Sequence, residues 1–105
     1  MNNEIIGIWE TDHHDTKSLQ VYGNVTIEFK LNGDLIYTTR LKGNIQKMFM
    51  MYEIKDNLLI TSLASTQEKE KTEFKFLSDG KLELAFDGIK STYIKANTES
   101  NASLI

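Results

Sequence analysis

Apolar and polar residues alternate along much of this chain. Residues 25–31 read Val-Thr-Ile-Glu-Phe-Lys-Leu, so every second side chain is apolar, and residues 35–41, 72–77 and 81–86 follow the same pattern. A period of two, with one apolar and one polar face, is typical of antiparallel strands buried on one side. No segment shows a convincing helical period. The pattern therefore predicts an all-β protein with at most a turn or two of helix.

Short turn signals separate these stretches, at Asn32-Gly33-Asp34, Lys55-Asp56-Asn57, Ser78-Asp79-Gly80 and Asp87-Gly88. Such residues adopt the positive φ angles that tight hairpins require. We predict about eight strands, with ends uncertain by ~2–4 residues, near 5–10, 25–31, 35–41, 47–54, 58–62, 72–77, 81–86 and 89–95. Joined in chain order, these strands form an antiparallel up-and-down meander.

Three connections are longer than a tight turn, at residues 11–24, 42–46 and 63–71. The first is a long loop able to cover one end of the sheet. The last contains Ser65-Thr66-Gln67-Glu68, which fits a helix capping box, but it has no apolar face behind it, and a solvated loop is favoured. Residues 97–105 are predicted to be a disordered polar tail. Residues 1–96 then form a single domain.

Composition narrows the functional classes. The chain has 105 residues, of which 40% are hydrophobic and 26% charged, with a net charge of −3 and no basic face. Nucleic-acid binding is therefore not expected. The absence of cysteine excludes disulfides, thiolate metal sites and thiol catalysis. No apolar run is long enough to span a bilayer. The N-terminus lacks signal-peptide features, and a cytoplasmic location is expected if the chain is complete.

The first strand carries the only tryptophan, Trp9, two positions after Gly7. A glycine within a strand leaves space for the close approach of another group. An indole two residues later lies on the same face and can help to fill that space. We therefore expect Trp9 to be buried and to support the floor of a barrel.

Several short motifs together resemble the small bacterial lipocalin-like domains of the calycin superfamily. They are Gly7 and Trp9, the stretch 29–35, Tyr52 and Ile54, Leu58 and Ile60, and Thr92, Tyr93 and Lys95. The resemblance spans about residues 5–96. It implies a small lipocalin-like barrel that can hold an apolar ligand, with Lys95 in place of the basic residue, commonly arginine, that packs on the indole.

Strand four determines the predicted binding site. If Tyr52 and Ile54 match the buried pair of the family, then Met48 and Met50 also face inward. Methionine adapts readily to different neighbours, which suits a ligand pocket and equally suits the filling of a core. The leading hypothesis is a non-catalytic module that holds a small hydrophobic or amphipathic ligand. Its predicted contacts are Phe29, Tyr37, Met48, Met50 and Tyr52.

The competing hypothesis concerns the outside of the barrel. Phe49 and Met51 face outward in this register, where a solvated barrel should carry polar groups. Because eight strands are near the number at which side chains fill a barrel completely, the protein could act through its outer surface. It would then be a protein-interaction, inhibitor or immunity-type protein. Phe49 and Met51 would form the interface, and a weak homodimer is the simplest form of such contact.

One sequence cluster has the chemistry of a metal site, Asp12-His13-His14-Asp15. Adjacent histidines in an extended chain point in opposite directions, and the chain has no third histidine to complete a site. His13 or His14 with Ser18 or Asp15 is also a weak catalytic set without an oxyanion device. We therefore predict no metal, no cofactor and no enzymatic activity.

Overall fold

Eight antiparallel strands follow one another around a closed barrel in chain order, which confirms the predicted all-β meander. The computed structural model describes residues 3–63, 65–66, 68–86 and 88–96. The strands are β1 (Gly7–Thr11), β2 (Asn24–Phe29), β3 (Asp34–Leu41), β4 (Asn44–Lys55), β5 (Leu58–Leu63), β6 (Lys69–Phe76), β7 (Leu82–Phe86) and β8 (Ile89–Lys95). A 3-10 turn (Asn3–Ile5) precedes β1, and a helix, α1 (Thr16–Tyr22), connects β1 to β2.

The barrel closes where the first strand pairs with the last, with Trp9 opposite Lys95 and Thr11 opposite Tyr93. Alternate residues of each strand turn inward, as the period of two requires. The buried apolar core consists of Ile5, Trp9, Val25, Ile27, Phe29, Leu35, Leu59, Phe74, Leu82, Leu84 and Tyr93. Both halves of the chain therefore contribute residues to the core.

Two strands begin earlier than the pattern predicts. β4 starts at Asn44 because the β3–β4 connection is only the two residues Lys42 and Gly43, with φ angles of 53° and 81°. Positive φ at both positions is the geometry of a tight hairpin turn. A lysine rarely adopts this conformation, and the sequence therefore suggested a longer loop. β6 likewise begins at Lys69, where polar residues hide the strand pattern.

The connection between β1 and β2, predicted as a loop throughout, contains the seven-residue helix α1. The carboxylate of Asp15 caps its start by accepting a hydrogen bond from the backbone N–H of Ser18 (3.2 Å). The chain ends the helix at Gly23, which has a φ of 75° and donates its N–H to the carbonyl of Leu19 (2.9 Å). Caps at both ends were the signal for this helix, since so short a segment shows no clear apolar period.

Trp9 and Lys95 lie together where the 3-10 turn leads into β1. The indole of Trp9 is 2% exposed and donates its ring N–H to the carbonyl of Ile5 in the 3-10 turn (2.8 Å). The ammonium of Lys95 lies 4.9 Å from the centroid of that ring. The space above Gly7, however, is taken by Lys95 and not by the indole. A Cβ placed on Gly7 would lie 2.7 Å from Cε of Lys95.

Residues 97–105, for which a polar tail was predicted, lie outside the described residues. Within the described part of the chain, no helix has both the length and the hydrophobicity needed to cross a membrane.

Candidate ligand-binding site

A cavity of about 220 Å³ lies inside the barrel. Its wall is formed by one residue of α1 and by residues of six strands: Tyr22, Ile27, Phe29, Leu35, Tyr37, Met48, Met50, Leu59, Thr61, Glu70 and Leu84. The wall is mostly apolar. An apolar cavity of roughly 150 Å³ is large enough to take up benzene, and drug-sized ligands occupy about 300–1,000 Å³. The size of this cavity therefore suits a molecule of one ring or a short chain.

The cavity brings together four of the five residues predicted to contact a ligand, namely Phe29, Tyr37, Met48 and Met50. Their common orientation follows from the register of β3 and β4, in which Met50 faces the buried Leu35 and Met48 faces Tyr37. Directly opposed residues of an antiparallel pair lie on the same face. Met48 is still 44% exposed, and this places it at the mouth of the cavity.

Tyr52, the fifth predicted contact, does not line the cavity. Its ring packs edge-on against Phe29, with centroids 5.1 Å apart. Its hydroxyl donates a hydrogen bond to the carbonyl of Lys30 (2.7 Å) in the turn that follows β2. Tyr52 thus supports the wall and the β2–β3 turn, and its direct contact with a ligand stays a prediction.

Three polar lining residues were missed by the sequence interpretation, namely Tyr22, Thr61 and Glu70. Thr61 lies two residues after the buried Leu59 and faces Glu70 across the β5–β6 ladder, so strand parity contained this information. Glu70 fell within the connection 63–71, which was predicted to be a solvated loop. Tyr22 could not be placed, because its position depends on α1.

The tyrosines give part of the interior a neutral polar character. Burial raises the pKa of Tyr37 above its usual range, and the nearby Tyr22 raises it further. Burial also raises the pKa of Tyr93, which is fully enclosed. A phenol with a raised pKa keeps its proton near neutral pH and can both donate and accept hydrogen bonds. Tyr37, which lies on the cavity wall, can therefore orient the polar group of an amphipathic guest.

Helix α1 is attached to the barrel by two polar contacts with β8. The hydroxyl of Ser18 donates to the hydroxyl of Ser91 (2.8 Å), and both residues are buried. The second oxygen of the Asp15 carboxylate accepts a hydrogen bond from the backbone N–H of Thr92 (2.9 Å). Because these contacts hold both the start and the middle of the helix, Tyr22 at its end is positioned at the cavity.

The two aspartates of the Asp12–Asp15 cluster make contacts that stabilise the fold. Asp12 is buried and forms an ion pair with Lys81 (2.9 Å), and its other oxygen accepts from the backbone N–H of His14 (3.0 Å). The hydrogen bond from Lys81 and then that from His14 lower the pKa of Asp12 to about 2. Asp15 caps α1, as described above. Among the described residues, no three His, Asp or Glu side chains converge as a metal site would require.

Comparisons with known proteins add no relative. No protein-family model matches the chain, no curated protein is similar to it, and no solved structure matches it. Its function must therefore be inferred from the geometry of the barrel.

Proposed function

We propose that this protein is a non-catalytic binding module that holds a small hydrophobic or amphipathic molecule in the barrel interior. The observation that carries the proposal is the mostly apolar cavity of about 220 Å³, whose mouth is bordered by the half-exposed Met48. A barrel that acted only through its outer surface would have no need of such a space. Each square ångström of apolar ligand surface removed from water here would contribute ~25 cal/mol to binding.

A relationship to the lipocalin-like barrels of the calycin superfamily is part of this proposal. It is supported by the closed eight-stranded antiparallel meander. It is also supported by the buried Trp9 of the first strand beneath the ammonium of Lys95 in the last strand. Together these features give the barrel one closed end, which leaves the Met48 side for ligand entry.

The ligand we propose has an apolar body of about one ring and a single polar group. Phe29, Met50 and their aliphatic neighbours would surround the body, and methionine can repack when a guest enters or leaves. The hydroxyls of Tyr22 and Tyr37 would contact the polar group. Few polar contacts within an apolar pocket are the usual composition of small-molecule sites.

The test is a titration of single-ring and short-chain compounds into the native protein, followed by ligand-observed NMR and calorimetry. Met50→Trp should fill the cavity and abolish binding. Met51→Trp is the matched control, because it places the same ring one residue along β4, on the outer face, where Met51 is 52% exposed. Binding that survives Met50→Trp would place the ligand outside the barrel interior.

A second candidate function, action through the outer surface, rests on one observation. Phe49 and Met51 are 66% and 52% exposed on the outer face of β4. Apolar side chains that are adjacent on a strand face and open to water often mark contact surfaces. If no compound binds the native protein in the titration, this surface becomes the leading candidate.

A further inference from the structure

The first half of β4 extends beyond its neighbour β5. β3 pairs with β4 from Asn44 to Met51, whereas β5 pairs with it only from Met50 to Lys55. Residues 44–49 of β4 therefore have a ladder partner on one side only among the described residues. We call this segment the free edge.

The register identifies which backbone groups of the free edge have no ladder partner among the described residues. Leu41 and Asn44 flank the two-residue turn between β3 and β4 and are paired with each other. In such a hairpin, the flanking pair exchanges both of its backbone hydrogen bonds, and every second residue then does the same. Tyr52 follows the same alternation, because it lies an even number of residues after Asn44 and donates its N–H to the carbonyl of Gly33 (2.9 Å). Ile45, Lys47 and Phe49 thus direct their N–H and C=O groups away from β3.

The side chains of the same three residues lie on the outer face of the barrel. Ile45 and Phe49 are 63% and 66% exposed, and Lys47 between them is also exposed. The segment reads Asn-Ile-Gln-Lys-Met-Phe, with no proline or glycine and a single charge. Natural sheets usually protect open edges with charges, proline or bulges, because an unprotected edge is a template for another strand. Lys47 is the single charge that protects this one.

We propose that the free edge pairs with the free edge of a second copy of this chain, in an antiparallel arrangement centred on Lys47. In that register, Ile45 of each copy faces Phe49 of the other, and the two Lys47 residues face each other across a two-fold axis. All three edge-facing residues then exchange backbone hydrogen bonds with the other copy.

The sequence of the edge favours a second copy as its occupant. Antiparallel pairing about a two-fold axis is self-complementary, so one patch serves both copies. A register centred on Gln46 or Met48 would use only two of the three edge-facing residues in each copy. The register centred on Lys47 uses all three and places apolar side chains opposite each other twice. The opposed ammonium groups and the short segment make the dimer weak, because stable interfaces bury about 1,200–2,000 Å².

The first test separates the backbone of Lys47 from its side chain. Lys47→Pro removes an N–H that the monomer does not use in its ladder, and proline is tolerated at such edge positions. Lys47→Ala keeps the N–H and removes the opposed charges. By sedimentation velocity across concentration, we expect Lys47→Ala to dimerise at least as tightly as the native chain. We expect Lys47→Pro to weaken the dimer by about tenfold or more.

The second test maps the two-fold axis by cross-linking. The chain has no cysteine, so a single introduced thiol can only form a disulfide between copies. Hydrogen-bonded antiparallel pairs have Cα atoms about 5.5 Å apart, which lies within the range of disulfides. Lys47→Cys should therefore form a covalent dimer under mild oxidation. Lys71→Cys, at an exposed position of β6, is the matched control and should remain monomeric.

A native chain and Lys47→Ala that are both monomeric at every concentration would overturn the proposal. The edge would then be left to an extended segment of a different protein. Dimerisation that Lys47→Pro does not weaken, or equal cross-linking at positions 47 and 71, would also overturn it. Circular dichroism of each variant verifies that the barrel is intact before these comparisons are made.

Discussion

The side chain of Lys95 occupies the position that a Cβ on Gly7 would need. The distance from that Cβ position to Cε of Lys95 is only 2.7 Å, and Gly7 itself has a φ of 129°. From this position, the ammonium of Lys95 donates hydrogen bonds to the carbonyls of Ile6 (2.6 Å) and Glu4 (3.3 Å). The glycine in the first strand therefore makes room for a cation that joins the last strand to the 3-10 turn.

Gly7→Ala is expected to lower the free energy of unfolding by about 1–3 kcal/mol, because a side chain is strained at this φ and also displaces Lys95. Gly43→Ala is the control. Gly43 has a φ of 81°, but a Cβ at this position would have no atom of the described residues within 4 Å beyond its chain neighbours. Urea denaturation followed by circular dichroism measures both. Equal losses in the two variants would show that the contact with Lys95 contributes nothing beyond backbone strain.

Lys95→Met keeps the aliphatic stem over Trp9 and removes the ammonium. We expect a loss of about 1–2 kcal/mol, because hydrogen bonds from a charged donor exceed the ~0.5–1 kcal/mol of an exposed cation–π contact. Lys90→Met, at an exposed position of the same strand, serves as the control. A loss no larger than that of the control would contradict the role assigned to the ammonium.

Trp9→Ala should destabilise the barrel by ~3–5 kcal/mol, the usual effect of removing a large buried ring. That ring also packs 6.0 Å from Phe76, measured between centroids. The loss is a large part of a typical domain stability of roughly 5–15 kcal/mol. Circular dichroism during urea unfolding provides the measurement. In the native protein, tryptophan emission that is red-shifted and freely quenched would be incompatible with the burial on which this prediction depends.

Stability should fall in acid through Asp12. Its pKa is lowered to about 2 from 3.8, first by the hydrogen bond from Lys81. A carboxylate with a lowered folded-state pKa stabilises the fold at pH values above its unfolded-state pKa. This contribution is lost as the pH falls from about 4 through 2. Asp12→Asn should lower stability at pH 7 and should make stability less dependent on pH in that window. Glu53→Gln, at the surface, should leave the pH dependence of stability unchanged.

Charge at the cavity should select among ligands. Among the described residues, Glu70 is the single charged member of the cavity wall, so an amine should bind better than a carboxylate of the same shape. A pair of charges 4 Å apart contributes ~1 kcal/mol in water, so Kd should be about fivefold lower for the amine, and about fivefold higher for the carboxylate, than for the neutral alcohol. The comparison uses 2-phenylethylamine, 2-phenylethanol and 3-phenylpropanoate, with native protein and Glu70→Gln. Between native protein and Glu70→Gln, only the affinities of the two charged compounds should change. If Glu70→Gln still prefers the amine to the carboxylate by the same factor, Glu70 does not select ligands by charge.

Strand alternation predicted much of this fold, because the period of two is a local property of the backbone. It grouped Met48 and Met50 with Tyr52 and Ile54 on one face of strand four, and the resemblance to lipocalin-like domains then predicted that this face is the inner one. It could not show that Tyr52 faces the β2–β3 turn, since that depends on how far along the barrel each strand sits relative to the next. Glu70, which lies on the same inner face as Thr61, was missed for a different reason, because the predicted strand began at residue 72 and left Glu70 in a loop.

The remaining differences arise where local conformation departs from the usual preference of a residue. Lys42 adopts a positive φ that lysine seldom takes, so the length of the β3–β4 hairpin and its free edge were not predicted. Helix α1 is defined by the caps at Asp15 and Gly23 and by contacts to β8, which form only after the barrel has closed. The position of Tyr22 at the cavity follows from those contacts.

The location of Trp9 separates two spectroscopic signals. This residue belongs to the closed end of the barrel and does not line the cavity, whereas Tyr22 and Tyr37 do. Tryptophan emission from this protein should therefore follow unfolding and remain insensitive to whether the cavity is occupied. Tyrosine absorbance should respond to occupancy, so folding and ligand uptake can be followed independently in one unlabelled sample.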